Sequence, residues 1–465
     1  MNYDAVVVGG GFAGLTAANF IAQHKKQVVV LEAGASNLYF CNSRIATGAL
    51  HVAFRHPTDE PDELFEEIVR TSGDTADESL VRAFVSELRD TFEWLKSIGA
   101  QFEQHPRRQN PIPMLAPLRE MRAGLDWENS GPNSLLNSLV SNLKSNGGTI
   151  ILDARVKSLD CDHGSIAGVK YETPKGQKHL VKAKNVIIAD GGFQANLDLV
   201  AKYIQPKSNQ LCQRNAGTGC GDGLSMAIEL GAATTGMNTF YGHVLSRDAL
   251  TNDQLWPYPQ LDIMCGDGVV LQPNGKRFTD EGLGGVFLAN EIAGLEDPAG
   301  ATLIIDQEIW DSARETDLVP PNPSLQDNGG TIFTADTIEE LANQAGLKPE
   351  ATASTIRAYN DAIVHQSEHR LTPKRTTKQQ IAKKIAKPPF HAIPLCSGIT
   401  VTSGGLKIDP QARVLDQNGT IISGLYAVGS SAGGLEGGPR ASYLGGLMKA
   451  FVLGRIAGKY VQMQS

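Results

Sequence analysis

Two unbroken apolar blocks, Ala5-Val6-Val7-Val8 and Val28-Val29-Val30-Leu31, open the chain. Four successive apolar residues without polar alternation fit strands buried on both faces, the pattern of a parallel sheet covered by helices. Between them Gly9-Gly10-Gly11-Phe12-Ala13-Gly14 forms a turn and Leu15 to His24 reads as a helix, so the chain begins strand, helix, strand, ending at Glu32. The strand pattern recurs at Thr149-Ile150-Ile151 with Ala154-Arg155-Val156, in a hairpin-like region from Gly168 to Glu172, and at Asn185 to Ala189. Asp190-Gly191-Gly192-Phe193 closes that last strand with a glycine turn. Gly217 to Gly223 holds four glycines in seven residues and leads into a helix from Leu224 to Leu230. Near the C-terminal end, Gly424-Leu425-Tyr426-Ala427-Val428-Gly429 is again strand then glycine loop, opening onto a helix of about Tyr443 to Tyr460.

Residues from about 237 to 396 read differently. They carry most of the prolines, including Pro320-Pro321-Asn322-Pro323, and two polar amphipathic helices, Thr337 to Ala345 and Pro349 to Gln366. Asp336 with Glu339 is placed to form a helix-start box. This predicts a domain over 237–396 inserted into another, whose first part is 1–236 and whose second part is 397–465. Length alone, 465 residues, would suggest roughly three units of ~150 in series. Strand-then-glycine turns on both sides of the insert favour one split α/β domain plus an α+β cap.

Composition sharpens this. Glycine is unusually common, 49 of 465 residues, with no triplet period. The net charge, 42 − 50 = −8, argues against nucleic acid as a partner, because phosphate neutralisation needs a basic face. Six scattered cysteines (41, 161, 212, 220, 265, 396) form no CxxC, CxxCH or ferredoxin-like run, which leaves iron–sulfur, c-type haem and dithiol readings without support. No residue pattern calls for a metal. The start leaves no room for a signal peptide, and no apolar stretch approaches the ~18 residues of a membrane span. The expectation is a soluble, cytoplasmic protein with a small-molecule substrate.

The opening unit has a chemistry of its own. Gly9 permits the tight turn, Gly11 lets a pyrophosphate approach the backbone, and Gly14 allows close packing of helix on strand. The helix N-terminus offers N–H groups and positive dipole to phosphates, and Glu32 can take ribose hydroxyls. Strand, helix, second strand and acid together predict dinucleotide binding.

With the other motifs, the chain resembles the flavoprotein family of fumarate reductase and succinate dehydrogenase flavin subunits, including its 3-ketosteroid and tricarballylate dehydrogenase branches. The landmarks are GGGFAG with Glu32, Cys41-Asn42-Ser43 to Thr47-Gly48, ADGGF at 189–193, and GDGLSMAIELGAA from Gly221. NGKRFTDE from Asn274, SGGLKID from Ser403 and GLYAVG from Gly424 complete them. The resemblance implies FAD in a Rossmann-like domain of the GR2 flavoprotein type, with a capping domain closing over the flavin. By likeness, Gly9, Gly11, Gly14 and Glu32 hold the ADP half, with Phe12, Ala13, Ala33, Ala189 and Gly191 beside them and Val156 near the adenine. Asn42, Ser43, Thr47 and Gly48 approach the flavin, and Asp222, Gly429, Leu444, Gly446 and Leu447 hold the ribityl and ring. Members with covalent flavin use a histidine where this chain has Asn42, so the implied FAD is non-covalent. Cys41 reads as a packed cysteine rather than a thioether.

The chemistry the resemblance implies is hydride exchange between a substrate carbon and flavin, proton exchange at the neighbouring carbon, and donors for charge on the substrate's carbonyl. His243, six residues after Met237, matches the family's substrate histidine, and Arg440 in Gly437-Gly438-Pro439-Arg440 matches its carboxylate-binding arginine. Structural roles are the alternatives for both. The arginine of the fumarate enzymes would fall at Gly285, and a histidine is replaced by Val401, so fumarate-specific proton delivery is missing. Arg277-Phe278-Thr279-Asp280-Glu281-Gly282 looks more like the tricarballylate branch. Tyr443, ahead of Leu444-Gly445-Gly446, is the candidate proton carrier or donor, a packed aromatic being the alternative; Tyr241, Arg247 and Asp248 stand in reserve. The implied activity is dehydrogenation, or the reverse, of a C–C bond beside a carboxylate. A cyclic-ketone desaturase and a flavin electron-transfer subunit are the competing readings. The electron acceptor is open. A disulfide reductase is disfavoured by the lack of a second GxGxxG and of a redox cysteine pair.

Overall fold

The computed structural model describes residues 2–73, 76–105, 112–162, 164–315, 318–377 and 381–464. The first apolar block lies in strand β1 (Asn2–Val8), the glycine turn leads into helix α1 (Phe12–Gln23), and the second block is strand β2 (Val28–Leu31). β1 runs parallel to β2, with Ala5 opposite Val28, and on its other side parallel to the strand Lys178–Ile188, with Val8 opposite Ile188. Thr149–Ile151 extends the sheet beyond β2, and Ile421–Ala427 extends it beyond Lys178–Ile188, both in parallel register. Ala5, Val6, Val7, Val29 and Val30 are fully buried, as continuous apolar strands require. Among the described residues this sheet has eight strands, the hairpin Arg155–Asp162 and Ser165–Glu172 hanging from its middle.

The second sheet is mainly antiparallel and is organised on one strand of 13 residues, Phe390–Thr402. Phe240–Ser246 and Thr302–Asp306 flank it, Val269–Leu271 follows, and Phe333–Ala335 and Cys212–Gln213 also pair with the long strand. The boundary expected at 396/397 therefore falls inside a strand of this sheet, and Cys212–Gln213 joins it from before 237.

Two local expectations shift. The helix Ile338–Gln344 is capped by Thr337, whose Oγ accepts from Glu340 N at 3.2 Å and donates to its carboxylate at 3.0 Å; the box is Thr337 with Glu340, one residue later than Asp336 with Glu339. The C-terminal helix is Gly446–Gln464, not Tyr443 onward. Tyr443 to Gly445 are held in a turn instead: Leu444 N donates to Glu436 Oε2 at 2.9 Å and Leu444 O accepts from Ala53 N at 2.7 Å. This helix packs along α1, with Phe451 on Phe12 at 4.8 Å between ring centroids.

Candidate active site

Between the sheets lies a cleft of about 680 Å³. Its walls include Gly9, Gly10 and Gly11 from the first turn, Gly217 and Gly219 from the second glycine run, and Gly429 and Gly446 from the third. Three segments distant in sequence thus meet on one elongated cavity. Glu32 and Val156 lie on the same cavity as Tyr241 and His243.

The nucleotide end is built by backbone. Gly9 has φ +100°, and a Cβ there would sit 2.6 Å from Ala189 O. A Cβ on Gly14 would meet Gly9 O at 2.1 Å, so Gly14 seats α1 on β1 without lining the cleft itself. Glu32 accepts from Gly10 N and from Gly34 N, each at 2.8 Å, fastening the turn after β1 to the turn after β2. Ser43 Oγ accepts from Phe12 N at 2.9 Å. Phe12, Ala13, Ala33, Ala189, Gly191 and Thr47 also line the cleft. Asp222 forms a two-bond pair with Arg155, at 2.6 and 3.0 Å, beside Val156; that is the adenine side of the expected arrangement rather than the ring side. These residues fit a dinucleotide: a side-chain-free cradle at a helix start, with a carboxylate at the end of the second strand.

Asn42 bridges two segments, donating to Thr400 O at 3.0 Å and accepting from Ala216 N at 2.8 Å. Burial pushes the neighbouring Cys41 thiol up to about 11, so it stays protonated at neutral pH. Burial likewise raises the carboxyl of Asp190, to about 6, against the opposing bonds from Gly223 N and Ser431 Oγ at 2.7 and 3.1 Å.

At the other end the two candidate tyrosines meet. Tyr241 and Tyr443 stack with centroids 3.6 Å apart and planes 13° from parallel. Tyr443 Oη accepts from Gly446 N at 2.7 Å, and burial lifts its phenol well above the ordinary tyrosine range, keeping it a neutral donor. His243 has both ring nitrogens engaged, Nδ1 by Asp262 Oδ2 and Nε2 by Tyr241 Oη at 2.8 Å. Asp262 also accepts from Val244 N at 2.8 Å.

Arg440 and Arg247 do not reach the cleft. Arg440 lies exposed in the turn closed by the Gly437–Ser442 bridge, and Arg247 is exposed with a bond to Ala299 O at 3.2 Å. The short glycine-rich turn projects Arg440 outward because its neighbours Gly437 and Ala441 both adopt positive φ. Asp248 serves a loop, accepting from Thr331 N at 2.7 Å. Gly48 packs against Leu115 and Pro132, and Leu444 is buried in its turn, so neither lines the cavity.

Two arginines that motif reading passed over do line it. Arg119 and Arg214 are 5% and 7% exposed and both lie over the Tyr258 ring, 5.7 and 5.5 Å from its centroid. Arg214 donates to Pro257 O at 3.1 Å and Thr400 Oγ at 2.9 Å; Arg119 donates to Ile45 O at 2.9 Å, and its Nε has no hydrogen-bond partner. Among the described residues neither forms an ion pair. Burial, reinforced by Arg214, lowers the Arg119 guanidinium from its ordinary value although Tyr258 and Asp126 oppose this. Only Arg214 carried a sequence signal, its place three residues before the second glycine run.

The profile of the family described as "FAD binding domain" matches residues 4–442. The chain is similar to an NADH:acrylate oxidoreductase of Vibrio harveyi, 30% identical over 82% of this chain and 36% of that protein. It is also similar to an NADH:fumarate oxidoreductase of Klebsiella pneumoniae, 26% identical over 98% of this chain and 47% of the other. The chain thus spans less than half the length of these curated relatives. In fold it is similar to a 3-ketosteroid-Δ4-(5α)-dehydrogenase from Rhodococcus jostii RHA1, with TM-score 0.75, 22% identity and coverage of 99% and 97% of the two chains. Among the described residues, no helix is long and apolar enough to cross a membrane. The chain belongs to the FAD-binding-domain family of flavoproteins, the fumarate reductase and ketosteroid dehydrogenase group, with an α/β cofactor domain and a cap.

Proposed function

We propose that the chain binds FAD non-covalently and reduces, or dehydrogenates, a C–C bond beside the carboxylate of a small organic acid. The observation that carries the substrate class is the pair Arg119 and Arg214, two buried guanidiniums on the wall of the cleft with no carboxylate in ion-pair contact among the described residues, Asp126 acting on Arg119 only at longer range. Burying unpaired like charges costs several kcal/mol, and an incoming carboxylate offsets that cost with charged hydrogen bonds. The acrylate and fumarate in the relatives' names are both α,β-unsaturated acids. FAD, when bound, supplies the hydride carrier. Gly9, Gly11, Ser43 and Glu32 would hold its nucleotide half, and Asn42 and Thr47 would approach the flavin. Asn42, with both ends of its amide engaged, and the protonated Cys41 thiol give no nucleophile for a flavin bond. Tyr443, neutral and half-buried on the cleft wall, would donate to the substrate oxygen on which charge grows. A cavity lined by both sheets argues against a bare electron-transfer subunit.

The test is anaerobic: the dithionite-reduced yellow protein is mixed with acrylate, crotonate, cinnamate, fumarate and 2-cyclohexenone while flavin absorbance is followed. Return of the oxidised spectrum with an acid is expected, as is release of all flavin on acid precipitation. Reoxidation by the enone alone would replace the acid with a cyclic ketone, a reading the stacked Tyr241–Tyr443 pair favours.

A further inference from the structure

Gly285 and Asp262 fit each other. Gly285 opens the helix Gly285–Ala293, and a Cβ built on it would sit 2.0 Å from Asp262 Cγ and 2.3 Å from its Oδ1. The carboxylate of Asp262 therefore fills the space that any side chain at 285 would need. From there it reaches His243 Nδ1 through one oxygen and Val244 N through the other. His243 Nε2 in turn meets Tyr241 Oη, and Asp262, His243 and Tyr241 all line the cleft.

The bonding fixes the tautomer. An ionised carboxylate only accepts, so the imidazole proton sits on Nδ1, and Nε2 is left to accept from the tyrosine hydroxyl. We propose that Asp262, His243 and Tyr241 form the proton-transfer chain of this enzyme, with Tyr241 as the catalytic residue and His243 and Asp262 positioning and charging it. Placing the chain beside a reacting C–C bond rests on the oxidoreductase reading above. In dehydrogenation FAD, when bound, would supply the acceptor for the hydride that leaves one substrate carbon with its C–H electron pair. The neighbouring carbon loses a proton to Tyr241 Oη while the Tyr241 proton passes to His243 Nε2. The substrate would become an alkene, its hydride passing to the flavin that the cleft would hold, and His243 would be left as an imidazolium paired with Asp262. Reduction is the reverse, the imidazolium proton returning through Tyr241 to carbon. A neutral tyrosine alone could not take a proton from carbon; the imidazole behind it removes that obstacle, as in other acid–base chains built on an oriented histidine. Tyr443 stacks on the same ring, and Arg214 acts electrostatically on Tyr443, so a neutral phenol and a cation belong to the surroundings of this chain.

The test uses the flavin-loaded protein and the panel above, with its enone, so that failure of the carboxylate reading still leaves an acceptor for the chain. Y241F should slow flavin reoxidation by roughly 100-fold or more at saturating acceptor. D262N keeps an acceptor for Val244 N but turns an amide donor toward His243 Nδ1, forcing the imidazole proton to Nε2. It should slow reoxidation by at least about tenfold, with acceptor Kd changed less than threefold. A purely structural role would move Kd or stability instead. Independently of any acceptor, the proton held between Nδ1 and Asp262 should give a low-field proton resonance in the wild type that D262N and H243Q lose. Y241F turning over within threefold of the wild type, or a wild-type spectrum without that resonance, overturns the proposal.

Discussion

Arg119 and Arg214 can be removed without opening the nucleotide cradle, since their bonds go to Ile45 O, Pro257 O and Thr400 Oγ. R214Q should weaken a carboxylate acceptor by roughly 10- to 100-fold, the loss of one charged hydrogen-bond pair, while an uncharged acceptor is unaffected. R440A, in an exposed turn, should change neither; titration of the bound flavin's absorbance reads both. Asp190 gives a pH signature. Its carboxyl, raised by burial from the ordinary aspartate value of 3.8 to about 6, favours the protonated form in the folded protein. The associated stability is fully present below pH ~4 and lost as pH rises through about 6, worth up to about 3 kcal/mol. D190N should therefore be more stable than wild type at pH 8 and gain little at pH 4, as measured by urea unfolding at the two pH values. At this scale, sequence showed residues whose partners are adjacent in the chain, such as Tyr241 with His243. It could not show Asp262 or Arg119, because their partners arrive from other elements.

At the scale of elements, α1 and the C-terminal helix decide whether the cradle is held. A Cβ on Gly454 would sit 2.5 Å from Ala13 O, and one on Gly458 would sit 2.9 Å from Ala17 O, so the two helices touch backbone to backbone. G454V should cost about 1–3 kcal/mol by overpacking and lower the fraction of protein purified with flavin, because it lifts the Phe12 end of α1. Thermal unfolding and the ratio of flavin to protein absorbance check both. The βαβ unit was legible because it is local: β1, the glycine turn, α1 and β2 are contiguous and their burial needs no distant partner. The second sheet was not. Its short outer strands, such as Val269–Leu271 and Phe333–Ala335, exist because Phe390–Thr402 and Thr302–Asp306 lie beside them, and three residues predict little by themselves.

For the whole molecule, glycine identified the long cavity but not the chemistry at its far end. Thr400, near the end of the long strand of the second sheet, is bonded by Asn42 through its carbonyl and by Arg214 through its hydroxyl, so the wall of the substrate end and the floor of the cofactor end share one residue. The chain spans less than half the length of the first curated relatives. The close fit of Gly285 to Asp262 bears on how such enzymes diverge. An arginine introduced at 285 alone would strike the carboxylate, and loss of Asp262 alone would strand His243 without its anchor. The two ways of delivering a proton are thus separated by a paired change whose single steps are each disabling. A lineage that has settled on one stays there, whatever acid its arginines come to hold.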